Sequence, residues 1–146
     1  MEKKIKNVFV DGPITPEKIA SSIAHHQVKT NIGAHDIFLG QVRADLINNQ
    51  TVKAIDYSTY DEMANSIFHE IRESAFEKYN LTCMHIYHSR GIVKAGEICL
   101  FVFTSSVHRA DAMDACRYLV EEIKEKAPIF GKEIFEDDSF VWKENK

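Results

Sequence analysis

A chain of 146 residues, 45% hydrophobic and 27% charged, is long enough to bury a core and has the composition of a globular domain rather than a disordered chain. Its formal net charge of −4 argues against a general nucleic-acid-binding surface, and no apolar run is long enough to span a membrane. The N-terminal residues lack the features of a signal peptide, and three cysteines without CxxC spacing favour reduced thiols. We therefore expect one cytoplasmic domain over residues 1–146.

The first half of the chain predicts strands separated by two helices. Thr15 followed by Pro16 is typical of a helix start, with the hydroxyl as cap and proline at the first helical position. A longer helix is predicted over residues 60–79, because apolar side chains recur there at helical spacing. Gly40 interrupts the second strand and predicts a bulge or a close backbone approach. The strands are predicted over residues 5–10, 34–42 and 52–58.

The second half predicts further strands around a third helix. The segment ICLFVF, residues 98–103, is apolar on both faces, which is typical of a central strand covered on both sides. Ser105 and Ser106 follow it as the expected cap of the third helix, which Pro128 ends. The other strands, of which the last two form a closing hairpin, are predicted over residues 81–88, 132–136 and 139–143.

The resulting order of elements, β-α-β-β-α-β-β-α-β-β, predicts the fold class. It indicates an α+β domain with a mostly antiparallel sheet on which two long helices pack. The terminal hairpin is expected to form a small separate sheet. No repeat, linker or low-complexity segment divides the chain.

The junction between the central strand and the third helix, FTSSVHRADA at residues 103–112, is the most informative local pattern. His108 and Arg109 fall in the first helical turn, where exposed backbone N–H groups and the helix dipole favour an anion such as phosphate. A cation is disfavoured at this end of a helix, so an anionic ligand would explain Arg109. Pairing with Asp111 or Asp114 would explain it equally well.

Further basic residues stand where a site could form. Arg43 directly follows a predicted strand and could reach the same anion, although an ordinary exposed charge accounts for it too. Lys124 lies at the margin of the apolar stripe of the third helix. It could reach a cleft, where desolvation would lower its pKa, or lay its stem over apolar neighbours and keep its charge in solvent. Lys126 stands one turn after Glu122, the spacing of an ordinary helix ion pair.

Metal and cysteine chemistry are not indicated by the sequence. His85 and His88 are three residues apart on a predicted strand, an odd separation that sends their rings to opposite faces. Cys99 and Cys116 lie in apolar patterns typical of inert buried thiols. Phosphate-binding motifs of the GxxxxGKS/T or GxGxxG type are absent, so no nucleotide or dinucleotide cofactor is expected.

Several segments, taken together and in order, resemble the large, catalytic subunit of molybdopterin synthase. The resemblance extends from about residue 33 to residue 142, and the ordered set is specific although no single motif is. The segments are GAHDIFLGQVR, YSTYDEMA, HSRG, KAGE, SSVHRADA and KAPIFGKEIFEDDSFVWK.

The resemblance implies a sulfur transferase of molybdenum cofactor biosynthesis that converts cyclic pyranopterin monophosphate into molybdopterin. It implies a small ubiquitin-like partner whose C-terminal Gly-Gly carries a thiocarboxylate as the sulfur donor. Large subunits of this family form a homodimer that binds one small subunit at each end, which gives a heterotetramer. No bound cofactor or metal is implied, and the family fold is an α/β hammerhead with an added small antiparallel subdomain.

The resemblance also implies roles for single residues. Arg43, His108 and Arg109 match substrate-binding positions, at which they would hold the phosphate. Lys124 matches the lysine closest to the transferring carbonyl and is the implied catalytic residue. Phe38 matches an aromatic residue near the pocket for the partner's tail.

Two departures bear on the catalytic assignment. The family's second active-site lysine directly follows a tryptophan, but here that position holds Gly131 and the lysine comes next, as Lys132. Lys132 can serve as the second catalytic lysine only if Gly131 lets the strand bulge or turn, because a shift of one residue changes the face. An arginine is also displaced by one residue in HSRG, residues 88–91. The alternative function is therefore a divergent homologue that binds the small subunit or a phosphorylated pterin without turnover.

Overall fold

The computed structural model of the protein describes residues 5–144. Within them, the helices are α1 (Pro16–His26), α2 (Asp61–Lys78) and α3 (Arg109–Lys126). The strands are β1 (Phe9–Asp11), β2 (Ala34–Gln41), β3 (Leu46–Ile47), β4 (Gln50–Thr59), β5 (Cys83–Lys94), β6 (Ile98–Ser106), β7 (Ile129–Phe135) and β8 (Phe140–Trp142).

The strands join in the order β2-β6-β5-β4-β7-β8, with β1 beside β5 and β3 beside β4. The pairing of β1 with β5 is parallel and the other strand pairings are antiparallel, which confirms the predicted α+β class. The expected separation of the terminal hairpin is wrong, because β7 pairs with β4 and continues the main sheet. This pairing buries Phe135 in the core, which an isolated two-stranded hairpin cannot do.

Strand β6 lies between β2 and β5 and is covered on both faces. Leu100 and Val102 point into the main core, where α2 and α3 pack, whereas Phe101 and Phe103 point into a second cluster beneath α1. All four side chains are fully buried. The continuous apolar run predicted this central position, and its alternation divides the core into two layers.

The start of α3 differs from the prediction. Ser105 and Ser106 continue β6, and His108 takes the N-cap position without a side-chain cap hydrogen bond. Ser105 Oγ lies 2.7 Å from Nδ1 of His35 on β2, and Ser106 Oγ donates to the carbonyl of Asn80 at 2.6 Å. The predicted serine cap is wrong because both hydroxyls are used in tertiary contacts.

Two local predictions in the first half are confirmed. Thr15 Oγ1 accepts a hydrogen bond from the N–H of Lys18 at 3.2 Å, and Pro16 is the first residue of α1. The register of β2 against β6 shifts directly after Gly40, at the predicted bulge. A Cβ at Gly40 would lie only 3.1 Å from the Cβ of Leu100, so the missing side chain lets the two strands approach.

Arg90, the displaced arginine of the HSRG segment, ties elements together. The strand predicted to end at residue 88 runs on to Lys94, so Arg90 lies within β5. Its Nε donates to Oδ1 of Asp11 on β1 at 3.0 Å, and its Nη1 donates to Asp61 in the first turn of α2. In this chain the displaced arginine therefore has a structural use.

Candidate active site

A cleft opens where the C-terminal end of α3 faces the β7–β8 hairpin. It contains two cavities, of about 800 Å³ and about 390 Å³, and both Lys124 and Lys143 line each of them. We call the two cavities together the lysine cleft. Of the predicted site residues, Phe38, Arg43 and Lys124 come together here. The walls of the lysine cleft include Phe38, Arg43, Tyr57, His88, Lys124, Glu133 and Lys143.

Lys124 extends from the last turn of α3 into this cleft. Its pKa is lowered by desolvation and, to a smaller extent, by the positive charge of Lys143, while the Cys99 thiol acts in the opposite direction. The residue is exposed overall, so the desolvation comes from the cleft walls around it rather than from complete burial. Such a lysine binds an anion and releases its proton more readily than one in bulk water.

Arg43 lines the larger cavity. Its guanidinium meets Asp45 at two points, with Nε 3.2 Å from Oδ1 and Nη2 3.2 Å from Oδ2. Carboxylate and phosphate oxygens match the guanidinium fork in the same way, so Asp45 takes the place that an anionic ligand would take. Because the arginine side chain is 76% exposed, this ion pair is weak and exchangeable.

His88 forms a buried neutral wall of the smaller cavity. Its Nδ1 lies 2.7 Å from the carbonyl oxygen of Ser89, which can only accept, so Nδ1 carries the proton. Burial is the main cause that lowers the pKa of His88 to about 4; the Ser89 hydrogen bond opposes it, and the charges of Lys124 and Lys143 add to it. The imidazole is therefore uncharged at neutral pH.

Tyr57 supplies an uncharged hydrogen-bond donor to the cleft, and Glu133 supplies its buried acidic group. Burial raises the pKa of Tyr57, and the neighbouring Cys99 and Glu133 raise it further, so the phenol stays protonated. Glu133 is only 8% exposed, and its Oε2 has no hydrogen-bond partner within residues 5–144. This carboxylate lines the larger cavity, where it can accept a hydrogen bond from a ligand N–H or O–H group.

The strand register decides between the two lysines of the terminal hairpin. Strand β7 pairs with β4 without a bulge at Gly131, which faces Tyr57, so the condition for bringing Lys132 into the cleft is not met. Lys132 points to the other face of the sheet, with its Nζ 4.7 Å from the ring centre of Phe140 and 5.3 Å from that of Trp142. Within the described residues, Lys132 is absent from the walls of the lysine cleft.

The predicted anion site at the start of α3 is separate from the lysine cleft. His108 and Arg109 are exposed at the N-terminal end of the helix whose C-terminal end carries Lys124. At the α-helical rise they lie roughly 22 Å from Lys124 along the helix axis. Asp111, one of the two acids considered as partners for Arg109, instead accepts from the backbone N–H of Asn80 at 3.4 Å.

Other chemistries find little support in residues 5–144. No group of three or more His, Cys, Asp or Glu side chains there is arranged to hold a metal ion. Cys83, Cys99 and Cys116 are free and buried, and burial raises the pKa of Cys116 to about 12, with a further contribution from Asp36. No helix in this part of the chain is long and apolar enough to cross a membrane.

Sequence reasoning missed four residues of the cleft walls, of which His88 was considered only as a metal ligand. Tyr57 and Glu133 lie in strands whose alternating pattern does not show which polar side chains face the cleft. Lys143 looks like an ordinary charge at the end of a hairpin. The available signal was alternation: Glu133 is two residues after Gly131 and therefore shares its face. The face of the sheet to which Lys143 points depends on the pairing of β8 with β7, which the sequence alone does not reveal.

Two curated relatives of the chain carry the same description. A molybdopterin synthase catalytic subunit from Oryza sativa subsp. indica is 41% identical over 114 residues, which is 78% of this chain and 58% of the relative. One from Pyrococcus abyssi is 33% identical over 111 residues, which is 76% of this chain and 74% of the relative. The chain thus spans little more than half the length of the plant relatives that it matches.

Solved structures agree with the fold. The crystal structure of molybdopterin synthase from Staphylococcus aureus is 30% identical, with a TM-score of 0.81 over 97% of this chain and 99% of that chain. A complex of subunits 1 and 2 of molybdopterin-converting factor from Helicobacter pylori is 17% identical, with a TM-score of 0.79 over 94% of this chain and 90% of that chain, and shows likeness of fold. The family model described as MoaE protein matches residues 10–126. On this match and these relatives, the chain belongs to the MoaE protein family.

Proposed function

We propose that this chain is the catalytic subunit of a molybdopterin synthase, a sulfur transferase that converts cyclic pyranopterin monophosphate into molybdopterin. The observation that carries the proposal is the partly desolvated Lys124 in a cleft that also holds Arg43 and Lys143. Such a cleft can bind an anion and exchange a proton with it. The plant and archaeal relatives described as molybdopterin synthase catalytic subunits support the same reaction.

The sulfur donor in this proposal is a partner protein. A small ubiquitin-like subunit would present a C-terminal Gly-Gly thiocarboxylate, whose sulfur is the nucleophile. Lys124 would orient this anionic group and exchange a proton during the attack. Phe38, on the edge strand β2 and at the cavity wall, is placed to contact the incoming tail. The solved complex of subunits 1 and 2 of molybdopterin-converting factor from Helicobacter pylori supports a second subunit as the partner.

The phosphate of the substrate would be held by arginine and by a helix start. Arg43 would exchange Asp45 for phosphate oxygens and stabilise charge as the cyclic ester opens. His108 and Arg109 would add their donors at the exposed N-terminal end of α3. Because one chain keeps these residues far from Lys124, we propose that a homodimer brings His108 and Arg109 of one copy to the lysine cleft of the other.

The alternative is a divergent homologue that binds the small subunit or a phosphorylated pterin without turnover. It is favoured by Gly131, which removes a lysine from the position where the resembling enzymes carry one. In a protein that binds without turnover, Arg43 would still bind the phosphate and Phe38 would still contact the partner's tail. Lys124 would then have no role in proton exchange. Turnover by the reconstituted protein distinguishes the two functions.

Reconstitution with the thiocarboxylated small subunit and cyclic pyranopterin monophosphate tests the proposal. Dithiolene product, followed by mass spectrometry, should form with the wild-type chain and fall at least about 100-fold with Lys124→Ala, because proton transfer by a positioned side chain contributes this much. Lys126→Ala is the matched control: it removes a lysine from the same helical turn, where Nζ pairs with Oε2 of Glu122 at 2.5 Å.

The control and the variant also separate catalysis from assembly. Lys126→Ala should retain near wild-type turnover, and Lys124→Ala should still bind the small subunit. Product formation by Lys124→Ala at the wild-type rate would remove Lys124 from the reaction. A wild-type chain that binds both ligands and makes no product would establish the non-catalytic alternative.

A further inference from the structure

Lys143 lies beside Gly131 and Tyr57 in a row of three residues on adjacent strands at the lysine cleft. Its backbone N–H donates to the carbonyl of Gly131 at 2.8 Å, and Gly131 is paired with Tyr57 on β4. Directly paired residues on antiparallel strands project to the same face. Tyr57, Gly131 and Lys143 therefore share the face that α3 covers, whereas Lys132, one residue on, faces away.

The glycine in this row leaves room for the lysine beside it. A Cβ at position 131 would lie 3.6 Å from the Cβ of Lys143 and 2.9 Å from Cγ2 of the buried Ile55. A side chain cannot be added there without displacing Ile55. Position 131 therefore cannot carry a lysine side chain, and the aliphatic part of Lys143 packs over Gly131 instead.

Lys124 and Lys143 act on the same groups. Both line the two cavities, both lower the pKa of His88, and Lys143 lowers the pKa of Lys124. Two ammonium groups that repel each other across a cleft are stabilised by an anion between them. The acids of the larger cavity are Asp45, which is engaged by Arg43, Glu133, which is buried, and Glu144, which is exposed.

We propose that Lys143 supplies the second ammonium of an anion site that it shares with Lys124, in the place that Gly131 leaves empty. This inference rests on the proposed function for the identity of the anion and on the strand register for the placement of the charge. The ligand chemistry is a singly charged anionic group. Its source is either the cyclic phosphate of the substrate or the C-terminal group of the small subunit.

Binding measurements with Lys143→Gln test the inference independently of turnover. The variant keeps the backbone hydrogen bond to Gly131 and removes the charge. One arm titrates cyclic pyranopterin monophosphate; the other titrates the small subunit with and without its terminal Gly-Gly. Affinity in one arm should fall roughly 10- to 100-fold, the effect of losing one hydrogen bond to a charged group.

Matched variants make the result specific to this position. Lys132→Gln removes the same charge from the neighbouring strand and should leave both affinities unchanged, and Lys143→Arg should retain most of the binding. Loss in the first arm assigns the substrate phosphate, and loss limited to the tailed small subunit assigns the donor. Unchanged affinity of Lys143→Gln in both arms overturns the inference.

A spectroscopic arm tests proximity without either ligand. The ε-carbon resonance of Lys124 in a ¹³C-lysine-labelled chain reports its pKa, which should rise in Lys143→Gln and stay as in wild type in Lys132→Gln. An unaltered Lys124 titration in Lys143→Gln would contradict the shared site. Absence of turnover by the wild-type chain would instead reject the proposed function. The binding and titration results would then still decide whether Lys143 shares an anion site with Lys124.

Discussion

At the scale of single residues, His88 links the cleft to the stability of the fold. The folded chain holds its pKa at about 4, against 6.5 for an unburied histidine. The unfolded chain therefore binds the extra proton first as the pH falls. The stability that this residue contributes is complete above pH 6.5 and is lost as the pH decreases toward 4.

This difference predicts a weaker acid sensitivity for His88→Gln. The wild-type chain should lose about 3 kcal/mol of unfolding free energy through His88 alone between pH 7 and pH 4. Urea titrations at several pH values measure this loss, which should be smaller by about that amount in the variant even if it is less stable at pH 7. His25→Gln, an exposed histidine in α1, is the control. Equal losses in wild type and His88→Gln would contradict the assignment.

The sequence allowed some of these residues to be predicted and hid others for a physical reason. Arg43 directly follows a predicted strand and Lys124 lies in the last turn of a predicted helix, so chain position allowed a cleft as one of two readings and the family resemblance favoured it. Lys143 could not, because its face depends on which residue of β7 it pairs with. Lys132 was expected in its place since a bulge at Gly131 is permitted by glycine, but the register of β7 is unbroken there.

At the scale of elements, strand β7 depends on the absence of a side chain at Gly131. A Cβ there would lie 2.9 Å from Cγ2 of Ile55, a branched side chain that is 3% exposed and cannot move aside. We expect Gly131→Ala to destabilise the chain by roughly 1 to 3 kcal/mol through overpacking, less up to about 1 kcal/mol gained from the unfolded state. Chemical unfolding of the variant measures the net loss.

A double-mutant cycle isolates the cause of that loss. Ile55→Ala removes Cγ2, so adding Gly131→Ala in that background should cost less than it does in the wild-type chain. Additive effects would mean that the contact with Ile55 is not what excludes a side chain from position 131.

Elements that a local sequence pattern determines were predicted well. Features that depend on tertiary contacts were predicted poorly. The apolar run of β6 and the Thr15-Pro16 start of α1 identified their elements directly. The serine cap of α3 failed because Ser106 reaches Asn80 on a distant loop, a contact that no local pattern shows. The position of the terminal hairpin failed for the same reason, since its partner β4 lies far away in sequence.

At the scale of the whole molecule, α3 separates the two groups of predicted site residues. Arg109 and Lys124 stand at opposite ends of one helix, so a single chain cannot bring both to one small ligand. A twofold-symmetric dimer can, because each site then takes one end from each copy. The proposed homodimer is therefore required by the proposed chemistry.

Mixing two inactive variants tests this arrangement. Lys124→Ala and Arg109→Ala, unfolded and refolded together, should recover about a quarter of the wild-type turnover, because half the dimers are mixed and each has one intact site. Turnover no greater than the average of the two pure variants would contradict a site shared between copies. Wild-type chain taken through the same refolding supplies the reference rate.

The place of β8 in the sheet has a consequence for how ligands enter. His88 lies on β5, which has neighbours on both sides. Lys143 follows β8, an edge strand of three residues that pairs, within residues 5–144, with β7 alone. Short edge strands open locally at far lower free energy than central ones. We therefore expect the Lys143 side of the lysine cleft to open locally at a lower free energy than the His88 side. Local opening of β8 would widen the entrance of the lysine cleft and would also move the charge of Lys143 away from Lys124. Entry or exit of an anion would then be coupled to the loss of one of the two charges that bind it.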